Sequence, residues 1–247
     1  MSDWAPLKRF TSARIGLPRA GASVGTPELL SFQLAHARAR DAVLHAWDLE
    51  ACSRELDAAG IPHCSVRSRV DDRATYLRRP DLGRQLDDAS LAELRSLRPT
   101  PPPDVAIVLC DGLSATAAQA HGVRTLRALL DGVSRRKLQA APVVLVRNGR
   151  VALSDVIGEA LGARAAVIVI GERPGLSAAD SLGLYLTFGP KRGNSDAQRN
   201  CISNVRAPGG LPPPEAAEQL CALLGRALEQ GVSGVALKAQ TLPALSG

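Results

Sequence analysis

Aromatic side chains make up only 3% of this 247-residue chain. That leaves few platforms for stacking bases and argues against the RNA-binding modules that depend on them. No apolar run approaches ~18 residues, so no membrane-spanning helix is expected, and Met1 to Arg9 lacks the apolar stretch of a secretory signal. The five cysteines, Cys52, Cys64, Cys110, Cys201 and Cys221, are odd in number and form no C-x-x-C. Neither a disulfide framework nor a zinc site is indicated, and reduced thiols in the cytoplasm are expected. The four histidines have no metal-binding spacing with each other or with carboxylates, so no metal ligands are assigned. Neither G-x-G-x-x-G nor a phosphate-binding P-loop occurs, which disfavours an ordinary NAD enzyme or NTPase.

Charge of one sign is also not concentrated anywhere. Thirty Lys and Arg against 24 Asp and Glu give a net charge of +6, but the cations are scattered, with short clusters at Arg78-Arg79 and Arg135-Arg136-Lys137. Nucleic acid is therefore not an expected partner. A solvated face, or a surface meeting an acidic partner, accounts for the charge.

What the chain does have is aliphatic material. Hydrophobic residues make up 45% of it, enough for a substantial core. The pattern divides at the breaker Arg98-Pro99-Thr100-Pro101-Pro102-Pro103, which cannot continue a helix. Residues 1–103 read as a helical, arginine-rich extension. Thr26-Pro27-Glu28 starts a helix, Leu30, Leu34, Ala37 and Leu44 recur at helical spacing, and Gly60-Ile61-Pro62 ends the run. A second helix is expected over Ser90 to Leu97. Residues 104–247 read differently. Val105 to Leu109, Pro142 to Val146 and Ala165 to Ile170 are short β-branched runs separated by helical stretches, with a fourth strand over Leu182 to Phe188. Such runs are strands buried on both faces of a parallel sheet. Ser114 is placed to cap the helix after the first of them, and a last helix runs from Pro212–Pro214 to Gly231. The expected fold is α/β: a Rossmann-like, mostly parallel sheet domain behind a helical N-terminal extension.

In open parallel sheets, ligands gather at the carboxyl ends of strands. Three segments qualify by position: Cys110 to Ser114, Arg147 to Val151 and Gly171 to Leu176. In the last, glycines let the backbone turn sharply while Glu172 and Arg173 offer an acceptor and a forked donor. The same residues also suit a tight turn whose charges pair with each other or with water. Asp111, at a strand end, is either a helix-capping or a hydroxyl-binding acid. Cys201 lies in a polar segment, read as a loop, and no histidine follows it, which argues against a nucleophilic role. Cys110 reads as a core residue, and His121 as a structural or surface histidine.

Several segments follow one another in order along nearly the whole chain: Thr11 to Leu17 (TSARIGL) with Thr26 to Leu30 (TPELL), Phe32 to Val43 (FQLAHARARDAV), Tyr76 to Leu86 (YLRRPDLGRQL) and Asp104 to Ser114 (DVAIVLCDGLS). Ile157-Gly158-Glu159, Ile170 to Leu176 (IGERPGL) and Cys201 to Asn204 (CISN) complete the set. Together they resemble the small subunit of ethanolamine ammonia-lyase. The resemblance implies an adenosylcobalamin enzyme of several large–small pairs that converts ethanolamine to acetaldehyde and ammonia by radical chemistry. It implies a substrate site in the large subunit, cobalamin at the interface, and cobalamin contacts at Val151, Glu172 and Cys201, with no catalytic residue in this chain. The extension itself carries apolar stripes and many arginines, more than the α/β domain needs for its own core, so it is expected to pack on the large subunit. No Asp-x-His-x-x-Gly occurs, which suits a family that keeps the cofactor's own base on cobalt. Two departures stand out. Ala35 precedes His36 where the family often has Asp, so His36 is assigned no role. Some members carry a longer N-terminal segment that directs packaging into a bacterial microcompartment. Here the matching Thr11 to Arg14 comes within about ten residues, and packaging through this subunit is not expected. The competing reading is a stand-alone Rossmann-like protein for another nucleotide-bearing ligand.

Overall fold

The structure, a computed structural model, describes residues 4–11 and 13–239. The N-terminal part contains α1 (Ala5–Lys8), the small hairpin β1 (Arg19–Ala20) and β2 (Ser23–Val24), α2 (Thr26–Leu44) and α3 (Leu49–Ala58). It continues through β3 (His63–Arg67), α4 (Arg73–Arg78) and α5 (Asp88–Ser96). Then come β4 (Val105–Cys110), α6 (Ala115–Arg135), β5 (Val143–Arg147), α7 (Leu153–Leu161), β6 (Ala165–Gly171), β7 (Leu182–Phe188), β8 (Arg199–Val205), α8 (Pro213–Gln230) and α9 (Val235–Ala239).

One six-stranded sheet runs through the molecule in the order β3-β5-β4-β6-β7-β8. The first three pairings are parallel and the last two antiparallel. Every residue of β4 and β6 is buried, because helices cover both faces. Alternation along β4 shows it: Val105, Ile107 and Leu109 join the core beneath α6 and α8, whereas Ala106, Val108 and Cys110 join the core beneath α5 and α7. The mostly parallel α/β fold read from the sequence is thus the fold observed.

Local chemistry explains the element ends. The Ser114 side chain accepts the N–H of Ala117 at 3.2 Å and caps α6 as expected. Gly231, at φ 70°, stops α8. Thr26 does not cap α2. It is the first helical residue, behind Gly25, and no side chain caps that end.

Three expectations need correcting. The run expected from Thr26 to Gly60 is broken at His45–Asp48, where Asp48 accepts the N–H of Ala51 at 2.8 Å and starts α3 afresh. The segment before Pro103 is not all helical, since β3 from within it pairs with β5 as an edge of the main sheet. And Cys201 is in a strand, β8, not a loop. The two strands of the main sheet missed in the sequence are its edges, and their polar, half-exposed sequences lack the apolar runs that mark the central strands.

The topology sets where a ligand can dock. From β4 the chain moves to β5 on one side, then crosses from β5 to β6 on the other side of β4. That reversal opens a crevice outside the carboxyl ends of β4 and β6.

Candidate functional site

Two glycines shape the crevice. Gly112, at φ +52°, turns the chain as it leaves β4, and the N–H of Leu113 donates to Gly171 O at 2.9 Å. A Cβ on Gly171 would collide with the carbonyl oxygens of Ser114 and Asp111, so only glycine lets β6 end this close to the start of α6. Immediately beyond lies Glu172, lining a cavity of about 420 Å³.

The Glu172 carboxylate is held on three sides. Its Oε2 accepts from Ser181 Oγ at 2.8 Å and from the N–H of Asn204 at 3.1 Å, and its Oε1 accepts from Ser203 Oγ at 2.5 Å. Its own N–H donates to Ser181 O at 3.0 Å. Arg173 does not pair with it. The rest of the turn is closed by the N–H of Gly175 donating to Ala178 O at 2.8 Å. Glu172 is therefore a preset acceptor at a strand end, and the pairing of Glu172 with Arg173 considered from the sequence does not form.

Val151, in the turn between β5 and α7, lines the same cavity, as do Leu113 and Ile170, giving it an apolar wall. Cys201 does not line it. The thiol is on β8, paired in register with Tyr185, and the two side chains share a hydrogen bond. Ser203, two residues along the same face of β8, does reach the cavity, so Cys201 sits one step outside. Burial pushes the Tyr185 phenol up and keeps it neutral.

The floor comes from residues that the sequence reading did not single out. Tyr76 of α4 is fully buried, and its hydroxyl donates to Gly149 O at 3.0 Å. The guanidinium groups of Arg73 and Arg150 lie over its ring, 4.7 and 4.1 Å from the centroid. The N–H of Arg150 donates to Gly83 O at 2.8 Å. The signals were present: Arg150 belongs to a strand-end segment, Tyr76 and Gly83 to the Tyr76–Leu86 stretch, and Ser203 and Asn204 to the Cys201–Asn204 stretch. Nothing in the sequence says that these stretches meet.

Asp111 is neither a cap nor exposed to a ligand. It is buried, accepts the N–H of Asn148 at 2.7 Å and faces Arg73 at 3.4 Å. Burial raises its carboxyl above the usual range against the pull of Arg73. It ties the end of β4 to the end of β5. The Cys110 thiol beside it is fully buried and raised by that burial, which makes it inert. His121 is largely buried, 3.4 Å from Asp180, and His63 is bound to Ser53 Oγ at 2.6 Å. Among the described residues no His, Cys, Asp or Glu side chains are grouped to hold a metal ion, and no helix is long and apolar enough to cross a membrane.

The fold and the site together define a doubly wound α/β protein whose crevice, at the switch point, presents one fixed carboxylate beside apolar and cationic walls. The comparisons with known proteins narrow the class. The model of the family "Ethanolamine ammonia-lyase light chain (EutC)" matches residues 1–238. Ethanolamine ammonia-lyase small subunits are similar throughout. That of Pseudomonas syringae pv. tomato is 49% identical, covering 96% of this chain and 83% of its own. That of Azotobacter vinelandii is 50% identical, covering 96% and 88%. That of Bradyrhizobium diazoefficiens is 51% identical, covering 94% and 88%. This chain belongs to the ethanolamine ammonia-lyase light-chain family. It is thus a component of a lyase complex, and its place as a small subunit implies a large-subunit partner. The stand-alone binding protein considered above gives way to that membership.

Proposed function

We propose that this chain, together with the large subunit, binds adenosylcobalamin in an enzyme that converts ethanolamine to acetaldehyde and ammonia, and that it serves to hold the cofactor. The observation that carries the reading is Glu172: a carboxylate set by Ser181, Ser203 and Asn204, at a topological switch point, in a cavity also lined by Val151. Adenosylcobalamin, when bound, supplies the radical chemistry through homolysis of its cobalt–carbon bond.

The residues suit such a group. The periphery of a corrin carries primary amides whose N–H groups need acceptors, and Glu172 is a charged acceptor fixed in place. Val151, Leu113 and Ile170 offer apolar contact for the ring edge. A cavity of about 420 Å³ suits part of a small ligand and is too small to enclose a corrinoid, as expected of a cofactor shared with a second chain. Cys201, beside Tyr185 at the mouth, would meet the outer part of the cofactor. No histidine is among the described residues that line the cavity, and Ser203 and Glu172, which meet there, are tied to each other and to Ser181 and Asn204, so deamination is assigned to the large subunit.

The surface for that subunit is proposed to be the N-terminal part, residues 1–103. Helix α2 has 19 residues and buries only Ala42, while Leu29, Leu30, Phe32, Leu34 and Leu44 stay exposed. A helix so apolar and so uncovered is a contact surface awaiting a partner.

Glu172 gives the test. Hydrogen bonds to charged groups contribute about 1.5–3 kcal/mol, equivalent to roughly tenfold to a hundredfold in affinity. Glu172→Ala should weaken cobalamin binding by the assembled complex in that range. Glu172→Gln, which keeps the shape and one acceptor, should weaken it less, and neither should much change the apparent affinity for ethanolamine. Unchanged cofactor affinity in a folded Glu172→Ala complex would make Glu172 a turn residue only.

A further inference from the structure

The two arginines that lie over the Tyr76 ring have different obligations. Arg73 donates to Val43 O at 2.6 Å and to Gly112 O at 2.7 Å and faces Asp111 at 3.4 Å, fastening α4 to the end of α2 and to the end of β4. Arg150 is far less committed. Its Nη2 donates to Tyr76 O at 3.1 Å, its Nε is buried with no hydrogen-bond partner, and its Nη1 makes no hydrogen bond with any described residue. No carboxylate among the described residues pairs with it. Yet the guanidinium is held firmly: by the Tyr76 ring at 4.1 Å, and by Gly83, where an added Cβ would come within 3.0 Å of Arg150 Cγ and 3.1 Å of Asn148 O. An uncompensated guanidinium, fixed in place and lining the cavity that Glu172 lines, is a donor set in advance for something absent from this chain.

Glu172 complements it. Oε1 takes one hydrogen bond, from Ser203 Oγ, and a carboxylate oxygen can take two. One fixed donor and one fixed acceptor in a single cavity select among ligand groups by charge. A carboxylate would suit Arg150 but be repelled by Glu172, and an ammonium would suit Glu172 but be repelled by Arg150. A neutral primary carboxamide, with one carbonyl and one NH₂, satisfies both. We infer that Arg150 is a further cofactor-contacting residue. With Glu172 it reads the primary carboxamides on one edge of the corrin, Nη1 donating to an amide carbonyl and Glu172 Oε1 accepting an amide N–H. This inference rests on the cobalamin reading above and adds to it the chemical group recognised.

The test is a binding titration of the assembled large–small complex, followed by visible absorption and equilibrium dialysis. The probes are hydroxocobalamin and the separated monocarboxylates obtained by hydrolysing one peripheral amide at a time. Wild type should bind at least one monocarboxylate about tenfold or more weaker than hydroxocobalamin, because an acid then faces Glu172. In Glu172→Gln that deficit should shrink. Arg150→Met, which keeps the apolar stem, should lower hydroxocobalamin affinity roughly tenfold to a hundredfold, and Arg150→Lys should recover part of the loss. Thermal unfolding of the complexes separates this from misfolding, and the monocarboxylate comparison in wild type and Glu172→Gln stands even if Arg150→Met fails to assemble. Three results overturn the inference: monocarboxylates that all bind wild type as tightly as hydroxocobalamin, a deficit that Glu172→Gln leaves undiminished, or full affinity in a folded Arg150→Met complex. A wild-type complex that binds no corrinoid at all would instead sink the cobalamin reading itself, and this inference with it.

Discussion

Gly171 and Gly175 flank the same turn yet carry very different constraints. A Cβ on Gly171 would strike the backbone oxygens of Ser114 and Asp111, which cannot swing aside, whereas a Cβ on Gly175 would meet nothing nearer than Ala178 O at 3.7 Å. Gly171→Ala should therefore cost about 1–3 kcal/mol, the range for overpacking a tight interior. Gly175→Ala should stay within roughly ±0.5 kcal/mol. Thermal unfolding of the two variants checks this, and equal midpoints would contradict the close approach of β6 to α6. At this scale much of the site was legible. A glycine-flanked Glu172 after a β-branched run signals a strand-end turn, and Ser114 signals a cap, because both follow from local chemistry. The bonds from Ser181, Ser203 and Asn204 to Glu172 were not legible. They depend on β7 and β8 folding back beside β6, and no local pattern records that. Tyr76 was hidden for the same reason: it lies 73 residues from the Gly149 carbonyl that its hydroxyl meets.

Helices and strands divide along similar lines. The central strands β4, β5, β6 and β7 were readable within a residue or so, because burial on both faces forces a continuous apolar run. The edges β3 and β8 were not, since a strand covered on one side need only bury alternate residues, as Val66 does alone in β3. Helix α2 posed the opposite problem. Its apolar residues recur at helical spacing, which predicts a buried stripe, but Leu30 and Leu34 are 59% and 53% exposed. The pattern was right about the helix and wrong about where its stripe is satisfied within this chain. A larger cavity of about 630 Å³ runs between α2 and the loop before β7, bordered by Leu34, Arg38 and Arg206. Leu30 and Leu34 are four residues apart and share a face. The double substitution Leu30→Glu with Leu34→Glu should leave the thermal midpoint of the isolated chain nearly unchanged, since both sites are exposed. It should remove stable association with the large subunit, because it sets two carboxylates where the partner would cover apolar side chains, and burying an unpaired charge is strongly unfavourable. Undiminished co-purification of the double variant would move the contact surface elsewhere.

For the whole molecule, the parts fit one division of labour. The doubly wound sheet places Val151 and Glu172 in one crevice, with Cys201 one step outside it. The floor of Tyr76 and Arg150 comes from α4 and the β5–α7 turn, and α2 leaves Leu29, Leu30, Phe32, Leu34 and Leu44 exposed. The proposed function reads the open crevice and the uncovered helix as the two surfaces at which a large subunit would complete this one. The most direct test is reconstitution. Acetaldehyde formation from ethanolamine is measured, with adenosylcobalamin present, for this chain alone, for the large subunit alone, and for the two together. Turnover should appear only in the mixture, in proportion to the complex formed. Turnover by this chain alone, or a large subunit that reaches the full rate without it, would contradict the account.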